Sequence, residues 1–256
     1  MSEQRNTLEE FFNSKNIIVV TGAGISSESG LPTFRGEEGY WTKGSKNYQP
    51  MELATNRAFQ EEPETVWEWY HYRRNLYKKT NPNLGHYALA NLKRFFKEND
   101  RDLILVTQNV DGLHSKAGFS KDLFEIHGNI FYMRCYEECT DTIHPIPENQ
   151  TGVPVCPDCE SIMRPHILWF DEFYDEAYYK FHTVLEYGYD KMDALLLVGT
   201  TLQTNLPRKL FEIAYFKQLP MIEVNTEPIG IKKYGVMELK GKSGEILPEL
   251  LKKVSV

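Results

Sequence analysis

Four cysteines fall in one stretch of the 256-residue chain, at Cys135, Cys139, Cys156 and Cys159, as two pairs separated by sixteen residues. Thiolates grouped this way hold a tetrahedral zinc ion, and a four-thiolate shell leaves no open position for water, so the metal expected here is structural rather than catalytic. Buried free thiols are the competing reading, which two knuckle-spaced pairs disfavour; His144 is a less favoured spare ligand. A second group is Gln108-Asn109-Val110-Asp111-Gly112-Leu113-His114. Its amides and carboxylate can bind a carboxamide and ribose hydroxyls without bringing in a strong nucleophile; the bland alternative is a polar turn. His127 beside Gly128 offers an imidazole able to take a proton near neutral pH. A third group runs from Thr21 to Gly36 and contains four glycines, Gly22, Gly24, Gly30 and Gly36, among Ser26, Glu28, Thr33, Phe34 and Arg35. Glycines there let the backbone turn sharply and approach a diphosphate, whose charge is met by amide groups and the start of the next helix.

The elements that must position these groups follow from periodicity. Ile17 to Val20, Leu103 to Val106, Leu123 to Ile126, Ala194 to Val198 and Met221 to Val224 are short apolar runs expected as strands. Thr7 followed by Glu10 predicts a capping box opening a short first helix that ends near Asn13 to Asn16. Residues Met51 to Lys79 form a helical insertion, with Val66, Tyr70, Arg73 and Tyr77 on one stripe. Leu84, Tyr87, Ala88, Leu92, Phe95 and Phe96 mark an amphipathic helix, and Tyr174 to Tyr187 and Arg208 to Phe216 are also expected to be helical. The segment Glu37 to Pro50 has no steady period and is expected to be a loop near the ligand. Strand alternating with helix implies an α/β architecture with a doubly wound parallel sheet. Polar residues sit just beyond four strands: Thr21-Gly22, Thr107-Gln108-Asn109, Gly199-Thr200-Thr201 and Asn225. In such a sheet those carboxyl ends line one crevice, which makes a nucleotide site the expectation.

The glycine loop lacks the third glycine of the usual dinucleotide fingerprint, because Ser27 stands there, and a hydride-transfer role is weakened accordingly. The loop, the Gln108 to His114 stretch and His127-Gly128 together resemble the sirtuins, NAD-consuming protein deacylases, and the resemblance extends from Thr21 through Gly241-Lys242-Ser243-Gly244. It implies a Rossmann-like NAD-binding domain made of residues 1–36, 81–130 and 166–256, and a small domain of residues 37–80 and 131–165 that combines the helical insertion with a zinc ribbon. It also implies that Gly22, Ala23, Gly24, Ile25, Glu28, Thr33, Phe34, Arg35, Gln108, Asn109, Asp111, Gly199, Thr200, Thr201, Asn225 and Ser243 face NAD. Gln108 and Asn109 would lie near the nicotinamide ribose and Asp111 near the carboxamide. His127 would be the general base for a ribose hydroxyl, with Asn109 also catalytic, after the acyl oxygen of the substrate displaces nicotinamide.

The first cysteine pair has three intervening residues where the family usually has two. Arg164 to Glu172 is similar to the family stretch that pairs with the substrate peptide as an added strand, with Ile167 and Leu168 replacing two valines, Phe170 retained, and Asp171 where glycine is usual. Tyr70 and Arg73, three apart on a helix, are placed to grip one carboxylate. They match the Tyr-x-x-Arg of the sirtuin branch that removes succinyl, malonyl or glutaryl groups, and Ala54 lies where that branch keeps a small side chain.

Composition narrows the partners. A net charge of −7 and no basic excess exclude a nucleic-acid groove, and no apolar run approaches membrane-spanning length. The expected partners are acylated lysines of proteins or peptides, the expected co-substrate is NAD, consumed in the reaction, and the expected metal is structural zinc. The N-terminus shows neither a secretory nor a transit pattern, so the expected location is cytoplasmic. An NAD glycohydrolase or mono-ADP-ribosyltransferase, a plain deacetylase, and a non-catalytic NAD-sensing module remain as alternatives.

Overall fold

The computed structural model describes residues 2–31, 41–43 and 46–252. Thr33, Phe34 and Arg35 therefore lie outside the described residues, as do 37–40, 44 and 45 of the expected loop. In chain order the elements are α1 (Ser2–Asn13), β1 (Asn16–Thr21), β2 (Trp41–Lys43), β3 (Lys46–Tyr48), α2 (Pro50–Leu53), α3 (Asn56–Glu61), α4 (Pro63–Lys78), α5 (Leu84–Glu98), β4 (Asp102–Thr107) and α6 (Leu113–Lys116). There follow β5 (Leu123–Glu125), β6 (Gly128–Cys135), β7 (Ile143–Pro145), β8 (Met163–Ile167), α7 (Glu176–Tyr179), α8 (Phe181–Asp190), β9 (Ala194–Val198), α9 (Asn205–Phe216), β10 (Met221–Asn225), β11 (Met237–Lys240) and α10 (Ser243–Lys252).

The main sheet has the order β11-β10-β9-β1-β4-β5, and every neighbouring pair is parallel. From β1 the chain moves outward to β4 and β5, then returns past β1 to build β9, β10 and β11. The switch point therefore falls between β1 and β9, where a parallel sheet opens its ligand crevice. Alternation along the strands explains the doubly wound form. Ile17 and Val19 of β1 join Phe11 of α1, Leu89 of α5 and Leu247 of α10 on one face, while Ile18 and Val20 join Val184 of α8 and Leu210 of α9 on the other.

A third apolar cluster joins both insertions. Phe59, Val66, Trp67 and Tyr70 of the α3–α4 segment pack with Cys135, Cys156, Met163 and Trp169. The three-stranded antiparallel sheet β7-β6-β8 carries the cysteine module. Both β6 and β8 run continuously across the expected boundaries at 130/131 and 165/166. Trp67 Nε1 donates to the Met163 carbonyl at 2.9 Å, tying α4 to β8.

Four local expectations need correction. The first helix begins at Ser2, so Thr7 is an interior residue rather than a cap. The Met51 to Lys79 segment is three helices, with Pro50 and Pro63 opening α2 and α4, where a missing N–H costs nothing. Leu84 and Tyr87 are exposed, and Gly85, His86 and Leu89 take the buried face of α5 in their place. The expected helix from Tyr174 to Tyr187 is broken at Lys180, whose φ is +53°. Two carboxylates stabilise that break: Asp175 accepts from the Tyr178 amide at 2.7 Å to cap α7, and Glu176 accepts from the His182 and Thr183 amides at 2.7 and 3.2 Å to cap α8. Part of the 37–50 segment is also regular, because β2 and β3 pair as an antiparallel hairpin.

Candidate functional site

The carboxyl ends of β1, β4, β9 and β10 form one edge, and the glycines there bring backbone against backbone. The Gly24 amide donates to the Gly199 carbonyl at 2.9 Å, and the Gly22 amide to that of Val198 at 3.0 Å. A Cβ on Gly22 would stand 2.7 Å from the Gly199 carbonyl oxygen, and one on Gly24 would stand 2.7 Å from the Gly199 Cα. Any other residue would therefore push the loop off β9. Ala23 is half-buried beside them, and Ile25 is fully buried beneath the loop.

Side chains of the second motif knit this loop to β4. Asn109 donates from Nδ2 to the Gly22 carbonyl and to Ser26 Oγ, both at 3.1 Å, and Ser26 Oγ donates to Asp111 Oδ2 at 2.7 Å. Asp111 is 5% exposed, and burial raises its carboxyl pKa despite the Leu113 amide and Ser26 hydroxyl that favour its ionised form. Gln108 donates from Nε2 to Thr200 Oγ1 at 2.8 Å and to the Thr21 carbonyl at 3.2 Å, and accepts from Thr204 at Oε1. Asn225 donates to the Thr200 carbonyl at 3.0 Å, which brings β10 into the same network. Thr201 stands exposed at the rim. Glu28 and Ser243 meet on the far side of the loop: the Glu28 carboxylate accepts from Ser243 Oγ and the Gly244 amide, capping α10. Beneath the loop, the His86 and His114 rings meet in a tilted contact with centroids 4.8 Å apart. Burial holds both imidazoles neutral, that of His86 down to about 4.

His127 is placed by the short link between β5 and β6. Gly128, at φ +83°, lies so close to β8 that a Cβ would stand 2.0 Å from the His166 carbonyl oxygen, and the Leu168 amide donates to the His127 carbonyl at 3.0 Å. His127 Nδ1 lies 3.0 Å from the Gln108 carbonyl oxygen. A carbonyl can only accept, so Nδ1 carries the proton and Nε2 keeps the lone pair. Burial lowers the imidazole pKa to about 4 against the favourable Gln108 bond, so the ring is a neutral base at pH 7.

A small cleft opens beside this network, lined by Ala23, Ser26, Leu31, Tyr77, Asn109, Val110 and Asp111. Its Tyr77 comes from α4, so the helical insertion reaches the cleft. Arg73 donates from Nη2 to Tyr77 Oη and lies over the Trp69 ring at 4.9 Å. Its charge is felt at Asp111, where it favours the carboxylate, and at the Tyr70 hydroxyl. Tyr70 is buried and its hydroxyl accepts from Trp169 Nε1 at 3.0 Å. Ala54 is buried, and its carbonyl accepts from the Phe170 amide at 3.0 Å, while the Phe170 ring is exposed. Ile167 is buried on β8 and Leu168 half-buried just beyond it. Asp171 ties this strand to the insertion, accepting from the first-turn amides of α3, Asn56 at 2.7 Å and Arg57 at 3.1 Å.

The four cysteine sulfurs all lie within 4.8 Å of one another, with Cys135 and Cys159 at 3.5 Å and Cys139 and Cys156 at 3.6 Å. A zinc ion with Zn–S bonds of about 2.3 Å sets tetrahedral S···S edges of about 3.8 Å, so the four thiols fit that ion. His144 is outside this group, on β7. The extra residue of the first pair is absorbed at Glu138, whose φ of +50° reverses the chain before Cys139 and whose carboxylate pairs with Arg134.

Several residues of the site had no role assigned to them from the sequence. Ser26 is the hub of the loop network, and its place within the glycine run was the available signal. Tyr77 sat on the expected stripe of α4. Tyr174 and Thr204 carried no local signal, because their partners, His127 and Gln108, are far away in the chain.

Comparison with known proteins places this site in context. Residues 22–205 match the model of the Sir2 family. An NAD-dependent protein deacylase of Leptospira interrogans is 43% identical over 244 residues, covering 94% of this chain and 93% of its own. One from Thermus thermophilus is 38% identical, covering 98% of this chain and 94% of its own. Among solved structures, a Sir2 homologue in complex with NAD superposes with a TM-score of 0.82 at 31% identity, covering 98% of this chain and 93% of that one. Another, bound to 2′-O-acetyl ADP ribose, gives 0.83 at 32% identity, covering 98% and 96%.

Proposed function

We infer that this chain, which belongs to the Sir2 family, is an NAD-dependent protein deacylase that passes the acyl group of a modified lysine to ADP-ribose as nicotinamide leaves. NAD supplies the activated anomeric carbon, and the products are nicotinamide, the free lysine and an O-acyl-ADP-ribose. The observation that carries this reading is the fixed tautomer of His127. With Nδ1–H on the Gln108 carbonyl, Nε2 is left as the acceptor of a ring held against the residue that precedes Asn109. His127 takes the proton of a ribose hydroxyl, and Asn109 and Gln108 orient that ribose. Gly22, Gly24 and Gly199 pack backbone on backbone and so hold in place the loop that would meet the diphosphate. The buried Asp111 faces the carboxamide. Burial raises its pKa, which suits a group that trades hydrogen bonds with a neutral amide.

The same proposal assigns zinc to the four thiolates. A closed four-sulfur shell supplies folding free energy and no Lewis-acid position, so the ion stabilises the module away from the reaction.

The acyl preference we propose is for acidic groups, succinyl or malonyl, as well as or instead of acetyl. Arg73 supports it: the guanidinium is held by the Tyr77 hydroxyl and the Trp69 ring, and Tyr77 itself lines the pocket with Asn109 and Asp111. The Tyr70 hydroxyl, fixed by Trp169, stands within reach of the same charge.

Mass spectrometry of a panel of acylated peptides incubated with NAD tests the reading. The expected products are free lysine peptide, nicotinamide and O-acyl-ADP-ribose in equal amounts, and His127→Ala is expected to lose at least a hundredfold in turnover. Full activity in that variant would remove His127 from the chemistry. Nicotinamide release without any acylated peptide would point to a glycohydrolase.

A further inference from the structure

His127 Nε2, the lone pair that the reaction needs, is already engaged. The Tyr174 hydroxyl lies 2.7 Å from it, and because Nδ1 holds the ring proton, the phenol must be the donor. The two rings stack at 5.8 Å with an interplanar angle of 26°, and Tyr174 stacks in turn on Phe181 at 5.4 Å. The Thr204 hydroxyl and the Leu206 amide also lie against the phenol oxygen. Leu206 is in the first turn of α9, where an amide has no partner within the helix. Tyr174 thus bridges the α9 N-terminus and the catalytic imidazole, and Thr204 closes the circuit by donating to Gln108 Oε1 at 2.8 Å.

A hydroxyl cannot be deprotonated by a nitrogen whose lone pair is taken. We propose that Tyr174 is the cofactor-free occupant of the His127 base, a positioning residue that stands where the NAD ribose hydroxyl must stand and is displaced from Nε2 when NAD binds. This rests on His127 being the base. Three features of the site suit the role. The phenol keeps the imidazole in the tautomer and orientation that the reaction requires. It spares a half-buried nitrogen from being left without a partner. After displacement the phenol oxygen retains Thr204 and Leu206 as neighbours, so it moves aside without becoming a stranded polar group. The cost is a competition: NAD binding must first break one hydrogen bond, and apparent affinity is scaled down to the fraction of molecules in which Nε2 is open.

Tyr174→Phe removes one oxygen and keeps the ring stack. Calorimetric Kd values for NAD on the peptide-free protein are compared for the wild type, Tyr174→Phe, His127→Ala and the double variant. Tyr174→Phe is expected to tighten NAD roughly threefold to tenfold, the worth of one net hydrogen bond. In the His127→Ala background the same change is expected to alter Kd by less than about twofold, because the occupied nitrogen is gone. Equal tightening in both backgrounds, or unchanged or weaker NAD binding in Tyr174→Phe, overturns the proposal. In the cofactor-free protein, the ¹⁵N resonance of His127 Nε2 should move downfield in Tyr174→Phe; an unmoved resonance also overturns it. In turnover the gain should fall on KM for NAD. A tenfold loss of kcat at constant KM would make Tyr174 a proton relay and overturn its role as occupant. Activity of His127→Ala alone judges the base, so the two ideas fail separately.

Discussion

The crevice at the sheet edge and the small module above it hold their functional side chains by different means. At the edge, Asn109, Ser26, Asp111, Gln108 and Thr200 are held by short hydrogen bonds among themselves and by glycine backbone packed on glycine backbone. In the small module, Tyr70, Arg73, Ala54 and Phe170 depend on distant partners: Trp169 on Tyr70, Tyr77 on Arg73, and Asp171 on α3. The first arrangement is preorganised by the sheet. The second is only as fixed as the cluster that α4, β6 and β8 share with Cys135 and Cys156. On the proposed function, position for the common chemistry is built into the rigid half, and choice of acyl group is left to the half that can be repacked.

The largest expected effect separates the two halves outright. Structural zinc sites carry on the order of 10 kcal/mol of apparent folding free energy, so stripping the metal or replacing Cys156 with Ser should collapse the module. Hydrogen exchange checks this: amides of β6 and β8 should lose protection while those of β1, β4 and β9 keep theirs. Equal loss throughout would mean that the two regions form one cooperative unit.

Next in size is Gly128→Ala. The new Cβ would meet the His166 carbonyl oxygen at 2.0 Å and the φ of +83° would be strained, so at least about 3 kcal/mol of stability should go, with NAD turnover lost as His127 shifts. Gly30→Ala is the contrast. Its φ is similar at +84° but nothing lies within 4 Å, so only the backbone cost of about 1 kcal/mol is expected. Urea midpoints give both numbers. Equal losses would show that the contact with β8 adds nothing to the conformational term.

How much of this was legible in the sequence follows the same division. The edge was readable because each of its strands is an apolar run ending in polar residues, and Gly22, Gly24, Asn109, Asp111 and His127 each lie within four residues of a strand's end. The cysteine cluster was readable from spacing alone. The break at Lys180 was not, because no glycine or proline marks it and the capping carboxylates Asp175 and Glu176 look like ordinary helix residues. Leu84 and Tyr87 misled because apolar spacing does not say which stripe faces inward, and on α5 the polar His86 is as fully buried as Phe96. The pairings of Tyr174 with His127 and of Asp171 with Asn56 join residues 47 and 115 positions apart, and no periodicity connects positions so far separated.

A smaller effect, confined to the module, is expected of Arg73→Met. On the proposed acyl preference, kcat/KM for a succinyl peptide should fall ten- to a hundredfold, the worth of one charge-assisted hydrogen bond to a carboxylate, while the matched acetyl peptide should change by less than about threefold. Equal losses on the two peptides would recast Arg73 as scaffolding for Trp69 and Tyr77, and acyl choice would have to be sought elsewhere in the cleft.

The smallest effect tests whether the two halves are joined where they touch. Asp171 accepts from the Asn56 and Arg57 amides, and Thr55 caps the same turn by accepting from Ala58 at 3.1 Å. The helix has two caps, one local and one from the segment that follows β8, so losing the second should cost only about 1 kcal/mol. Asp171→Asn keeps the shape and removes the charge; Asp171→Gly removes the contact. Because the Phe170 amide binds the Ala54 carbonyl one residue away, loosening this joint should also raise KM for the acylated peptide severalfold while leaving the Kd for NAD unchanged. If Asp171→Gly weakened NAD binding as much as peptide binding, the joint would be transmitting strain into the rigid edge, and the division between a fixed crevice and an adjustable module would fail at the point where it is most directly exposed to test.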